Sequence, residues 1–211
     1  ERRSIPQTDE GFVRWSLLFS CVLSHPSVMY RKNEVMKVGG YNENLCHAED
    51  YDLWLRISRK NICFMRSLPI IGILHRKRKL SSSLRKYKAK QREEANKISL
   101  CAMACLICSS NTMEKYLAED TSTSLHILLS PEGAATITEI DEAAKLLCIL
   151  ESAFLQKHVR ELSPQEAKLI QFDCNARIGD LATHAVRKFG KDVVSQNSWV
   201  WNEWFRRSPT S

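Results

Sequence analysis

The sequence predicts an α/β region over residues 1–84 followed by an α-helical region over residues 85–211. Three observations lead there. The first 84 residues mix short, extended-looking apolar runs with Gly and Pro, the texture of strands and short helices joined by turns. The remainder carries apolar stripes at helical spacing, bounded by capping residues. Seven Gly and six Pro in 211 residues are too few for a turn-rich all-β fold.

In chain order, Ser27-Val-Met-Tyr30 after Pro26 reads as a short strand. Asn33 to Val38 suits a helical turn that Gly39-Gly40 stops. Ala48 to Ser58 reads as a helix with Leu53, Trp54 and Ile57 on one face, and its early acids 49, 50 and 52 suit the positive end of the helix dipole. Asn61-Ile-Cys-Phe-Met65 and Pro69-Ile-Ile-Gly-Ile-Leu74 read as further extended runs. Ser130-Pro131 resembles an N-cap with proline at the first helical position. Thr138-Glu-Ile-Asp141 has capping-box spacing, with Asp in place of Glu. Behind it Ile140, Ala143, Ala144, Leu147, Leu150 and Phe154 make one apolar stripe. Ser163-Pro-Gln-Glu166 is a stronger capping box. It opens a long helix with Leu169, Ile170, Cys174, Ile178, Leu181 and Ala185 on its apolar side and Gly190 as its stop. Trp199, Trp201, Trp204 and Phe205 are expected to dock the C-terminus on this three-to-five-helix bundle.

Charge is concentrated in one stretch. From Arg56 to Lys97 fourteen Lys or Arg stand against two acids, Glu93 and Glu94, a local charge of +12, while the rest of the chain carries −5. Such a segment can attract nucleic acid, an anionic surface or a diphosphate. The apolar runs Trp15 to Leu23 and Leu100 to Cys108 are each about half of the ~20 residues a bilayer requires. Neither follows a basic leader, so a cytoplasmic setting is expected. Eight dispersed cysteines in mostly apolar surroundings read as reduced core thiols. Cys105-x-x-Cys108 has redox or zinc spacing but lacks a second pair.

The order His25-Pro-Ser-Val-Met-Tyr-Arg31, Val38-Gly-Gly-Tyr41 and Ala48-Glu-Asp-Tyr-Asp-Leu-Trp-Leu-Arg56 resembles the second half of the catalytic domain of family-2 glycosyltransferases of the GT-A type. Residues 20 to 85, about a third of the chain, carry the resemblance. It implies an incomplete, doubly wound GT-A domain with a helical extension. It also implies chemistry of an inverting kind: a sugar moves from a nucleotide-sugar donor to an acceptor hydroxyl. That reaction needs a base for the acceptor proton and groups that stabilise the departing diphosphate. The resemblance assigns the base to Asp50, with Glu49 orienting the acceptor or holding Asp50. His25 and Trp54 are expected against the acceptor.

Ile73-Leu-His-Arg-Lys-Arg-Lys-Leu-Ser-Ser-Ser83 stands where the family has an Arg and, further on, a His. Arg76 matches the Arg, and Arg78 replaces the His. Arg78 cannot ligate a metal but can pair with phosphate oxygens, so Arg76 and Arg78 are the expected diphosphate contacts. No metal ligand is assigned, and a divalent cation (Mg or Mn) is expected only of the full-length protein. The family's Gly-rich opening and Asp-x-Asp do not occur before residue 20. The expectation is therefore an acceptor-side fragment that transfers no sugar by itself and binds no nucleic acid. The rival is a non-enzymatic basic helical module binding nucleic acid or an anionic surface through residues 56–97. A third reading gives the helical region a role in homo-oligomer formation.

Overall fold

Helix-spaced apolar residues build both halves of the chain. The computed structural model describes residues 10–60, 64, 82–109 and 120–207, and the chain divides into two compact units, Glu1–Ala102 and Met103–Ser211.

In the first unit α1 (Glu10–Leu17), α2 (Lys32–Lys37) and α3 (Glu49–Arg59) surround a core of Trp15, Leu17, Val35, Tyr51, Leu53, Trp54 and Ile57. The amphipathic stripe of α3 explains this burial: the expected face of Leu53, Trp54 and Ile57 turns inward. Helix α1 is tied to α3 by polar bonds at both ends of the contact. Arg14 Nη1 donates to the Ser58 carbonyl at 3.1 Å, and Tyr51 Oη donates to the Leu17 carbonyl at 2.6 Å. The glycine stop behaves as expected, with Gly39 and Gly40 at φ +88° and +69° just after α2, backbone angles that glycine adopts without a Cβ clash. Helix α4 (Ser82–Cys108) contributes its earlier residues to this unit, and its Ser99 hydroxyl donates to the Leu18 carbonyl.

The α/β architecture, and the GT-A domain that the resemblance implied, are corrected here. Among the described residues there is no strand; both units are helical. At the strand candidate 27–30, Pro26 sits inside a single 3-10 turn, His25–Ser27, and Val28 leaves it in extended geometry (φ −97°, ψ 135°). Extended backbone becomes a strand only when a neighbouring chain answers its N–H and C=O groups, and no such ladder forms among the described residues. The other two candidates, 61–65 and 69–74, lie outside the described residues apart from Phe64.

The second unit holds α5 (Asp120–Leu129), α6 (Ile137–Lys157), α7 (Pro164–Phe189), α8 (Lys191–Asn197) and α9 (Trp199–Arg207). Helices α5, α6 and α7 pack in sequence, and α9 lies against α6 and α7. The α6 stripe is buried as expected, from Ile140 through Phe154. The Ser163 capping box forms in both directions, with Glu166 N donating to Ser163 Oγ at 3.2 Å and Ser163 N to Glu166 Oε2 at 2.8 Å.

Two boundaries differ from expectation. Pro131 opens only a 3-10 turn, Pro131–Gly133, and Ser130 makes no side-chain cap. The α6 cap is Thr136, whose side chain accepts from Glu139 N at 3.2 Å while Glu139 Oε2 accepts from Ala135 N at 2.6 Å. Asp141 serves a different helix. Its carboxylate accepts from Ser198 Oγ (2.8 Å), Trp199 N (2.9 Å) and Val200 N (2.9 Å), answering the orphan N–H groups at the start of α9. Docking of α9 also differs in detail: Val200 and Glu203 are its buried residues, whereas Phe205 is exposed. Trp204 reaches α7 where Gly179 leaves room, since a Cβ there would stand 2.9 Å from the indole nitrogen.

The thiols are less buried than their apolar neighbours implied. Cys21, Cys46, Cys101, Cys105 and Cys108 are exposed, Cys148 is half-buried and Cys174 is in the core; all seven are free. On α4 it is Ala102, Met103, Leu106 and Ile107 that turn inward, leaving the cysteine face outward.

Candidate functional site

The start of α3 is an unusual helix entry. Ala48, its N-cap, holds φ +62° and ψ +24° and gives no side-chain cap. Among the described residues it is the one non-glycine with positive φ, a conformation that costs an L-residue about 1–2 kcal/mol. The strain sits immediately before Glu49-Asp50, where backbone strain of this kind is often tied to function. Ala48 is buried.

Each acid of the first turn has its own environment. Asp50 Oδ1 accepts from Tyr51 N at 2.8 Å, which fixes the carboxylate at the helix entry. Asp52 points to Arg56, with contacts of 2.9 Å to Nε and 2.7 Å to Nη2. Arg56 then donates to the carbonyls of Val38 (2.5 Å) and Gly40 (2.7 Å). The Asp52–Arg56 pair thus fastens the Gly-Gly turn to α3, a structural use for two residues of the motif. Glu49 and Asp50 remain partly exposed at the helix start.

Tyr41 follows the Gly-Gly turn and carries the site's second half. Its hydroxyl lies 2.9 Å from His25 Nε2 and 3.3 Å from Tyr30 Oη. The His25 and Tyr30 rings each lie 6.2 Å from Trp54 between centroids, tilted or edge-on. Trp54 itself is 1% exposed, and its indole N–H has no hydrogen-bond partner among the described residues. His25 is exposed, so the aromatic surface consists of His25, Tyr30 and Tyr41 with Trp54 beneath.

The acids and this cluster share one electrostatic field. The Tyr41 phenol is pushed up to about 12, by burial first, then by Tyr30 and by the charges of Asp50 and Glu49. The Cys21 thiol is likewise pushed up to about 12, by desolvation and then by Asp50. Although Cys21 as a residue is exposed, its sulfur lies close enough to Asp50 to report its charge.

Of the expected site residues, Glu49, Asp50, His25 and Trp54 therefore come together in the first unit. Arg76 and Arg78 lie outside the described residues. Sequence reasoning missed Tyr41 as the partner of His25, and Tyr30 as the partner of Tyr41, although Tyr41 stands in the Gly-Gly-Tyr motif. It also missed Glu94, whose Oε2 accepts from His47 N at 2.8 Å and steadies the loop entering α3. An acid inside a strongly basic run was the available signal. Among the described residues no group of three or more His, Cys, Asp or Glu is placed to hold a metal ion. No helix among the described residues is long and apolar enough to cross a membrane.

No protein-family model matches the chain, and no solved structure matches it. The chain is similar to a protein of Dictyostelium discoideum named bifunctional glycosyltransferase pgtA, 23% identical over 218 residues. That alignment takes in 98% of this chain and 28% of the relative, so the chain spans less than a third of that protein's length.

Proposed function

We propose that this chain carries the acceptor-activating part of a glycosyltransferase, of the family-2 kind in its motifs, that moves a sugar from a nucleotide-sugar donor to an acceptor hydroxyl. The observation that carries the reading is the Glu49-Asp50 pair at the strained entry of α3, sharing its field with the His25–Tyr41–Tyr30 cluster. The similarity to a glycosyltransferase over almost the whole chain supports it.

In this reading Tyr51 N–H orients Asp50 through Oδ1, and Oδ2 takes the proton of the acceptor hydroxyl. The deprotonating oxygen attacks the anomeric carbon from the side opposite the diphosphate, which gives inversion. Glu49 orients the acceptor. His25 meets it at the surface, with Trp54 supporting the imidazole from below. Arg76 and Arg78 are assigned to the diphosphate, whose negative charge they match.

A transfer assay on the full-length protein, with the anomeric configuration of the product read by NMR, tests this. The expected product is inverted, and Asp50→Asn lowers kcat by about 10²–10⁴, the usual value of a general base. A retained configuration, or full activity in that variant, overturns the assignment.

The exposure of Lys86, Lys88 and Lys90 on α4 favours a second reading, a surface for nucleic acid or anionic groups. Affinity for a DNA duplex that falls steeply with salt would support it; no binding at low salt would remove it.

A further inference from the structure

In the second unit Cys148 lies nine residues before the end of α6 and Cys174 ten after the start of α7. These two packed helices are joined by the short connection 158–163, so the two cysteines sit at matching heights on an antiparallel hairpin. One guanidinium touches both sulfurs: Arg207 Nη2 is 3.4 Å from Cys148 Sγ, and Nη1 is 3.9 Å from Cys174 Sγ. Arg207 is held in place by Glu203 (2.6 Å), Glu151 (3.2 Å) and Asn175 Oδ1 (2.9 Å). Cys148 is half-buried, whereas Cys174 is fully buried.

We propose that Cys148 and Cys174 form a peroxide-sensitive dithiol, with Cys148 the attacking thiolate, Cys174 the resolving thiol and Arg207 the cation that stabilises the thiolate. The division of labour follows from the surroundings. The hydrogen bond from Cys174 and the charge of Arg207 hold the Cys148 thiol below its usual value, against desolvation and the nearby carboxylates of Glu151 and Glu203. The same hydrogen bond and its burial hold Cys174 above it. A thiolate is the reactive form, and a neighbouring cation favours it.

The chemistry balances with hydrogen peroxide as oxidant. Cys148 Sγ attacks one peroxide oxygen, the O–O bond breaks, and the departing hydroxide takes up a proton to leave as water. Cys174 Sγ then attacks the sulfenic sulfur, the S–O bond breaks, and the hydroxyl leaves as a second water with the Cys174 proton. Two thiols lose two electrons and one peroxide is reduced to two waters. The disulfide ties α6 to α7 and discharges the thiolate that Arg207 had paired with. A dithiol reductant reverses it.

The test treats the full chain with limiting hydrogen peroxide, blocks remaining thiols by alkylation and maps peptides by mass spectrometry. A Cys148–Cys174 cross-linked peptide is expected ahead of any link among the exposed Cys21, Cys46, Cys101, Cys105 and Cys108. Arg207→Gln should slow loss of the Cys148 thiol roughly tenfold. Cys174→Ala should leave Cys148 as a sulfenic acid that dimedone traps. The proposal is overturned if wild-type chain links other cysteines first, or if Cys148 reacts no faster than Cys101. The wild-type mapping decides even where a variant fails to fold.

Discussion

Asp50, Asp52 and Asp141 are the same side chain given three tasks by three surroundings. Asp50 has a single backbone donor and an exposed edge; Asp52 is committed to Arg56; Asp141 is buried and saturated by the start of α9. A charge left with spare acceptor capacity near the surface is available for chemistry, and a saturated one is not. Cys21 offers a direct readout of the Asp50 charge. Removing that charge by Asp50→Asn should lower the thiol from its value of about 12. Alkylation of Cys21, followed by peptide mass spectrometry between pH 9 and 11, should therefore accelerate in the variant. An unchanged rate profile would separate the two groups. The sign for stability is also set. Cys21 and Tyr41 are raised above their ordinary values of 9.0 and 10.0, so the folded state holds their protons more tightly. The corresponding stability is present below about pH 9 and is lost as pH rises toward about 12.

Element ends are where individual contacts count for most. Arg56→Ala removes two bonds to turn carbonyls and the partner of Asp52. It should cost about 1–3 kcal/mol in urea unfolding, and Arg56→Lys should not restore it, because one ammonium cannot reproduce the fork. Asp141→Ala removes the acceptor of three donors at the start of α9, and a loss of about 3 kcal/mol is expected in the same measurement. Gly179→Ala drives a methyl into Trp204 and should lower stability by about 1–3 kcal/mol, with the Trp fluorescence changed in the native state. How far these ends could be read beforehand depended on range. The Ser163 box and the Gly39-Gly40 stop are local patterns of a few residues, and both formed as expected. Asp141 looked like a local cap partner, yet its donors stand 57 to 59 residues further along the chain. No spacing rule reaches that far.

At the scale of the whole molecule, the helical stripes of the second unit were legible because burial of one helix face imposes a 3.6-residue period. The strands expected in the first unit rested on short apolar runs, which do not separate buried helix or loop from strand. At 27–30 the proline turn and the Trp54 ring claimed the segment instead. The site was partly legible for a different reason. Glu49, Asp50, His25 and Trp54 lie in contiguous motifs, whereas the Tyr30–Tyr41–His25 contacts depend on how the loops between α1 and α3 fold back. The central claim concerns Asp50 and is tested most directly against its neighbour. Transfer by the full-length protein should be measured for wild type, Asp50→Asn and Asp52→Asn, with thermal unfolding recorded for each. The account predicts that Asp50→Asn loses transfer by a factor of about 10²–10⁴ at unchanged Tm, while Asp52→Asn lowers Tm through Arg56. Normal transfer by folded Asp50→Asn protein would contradict it.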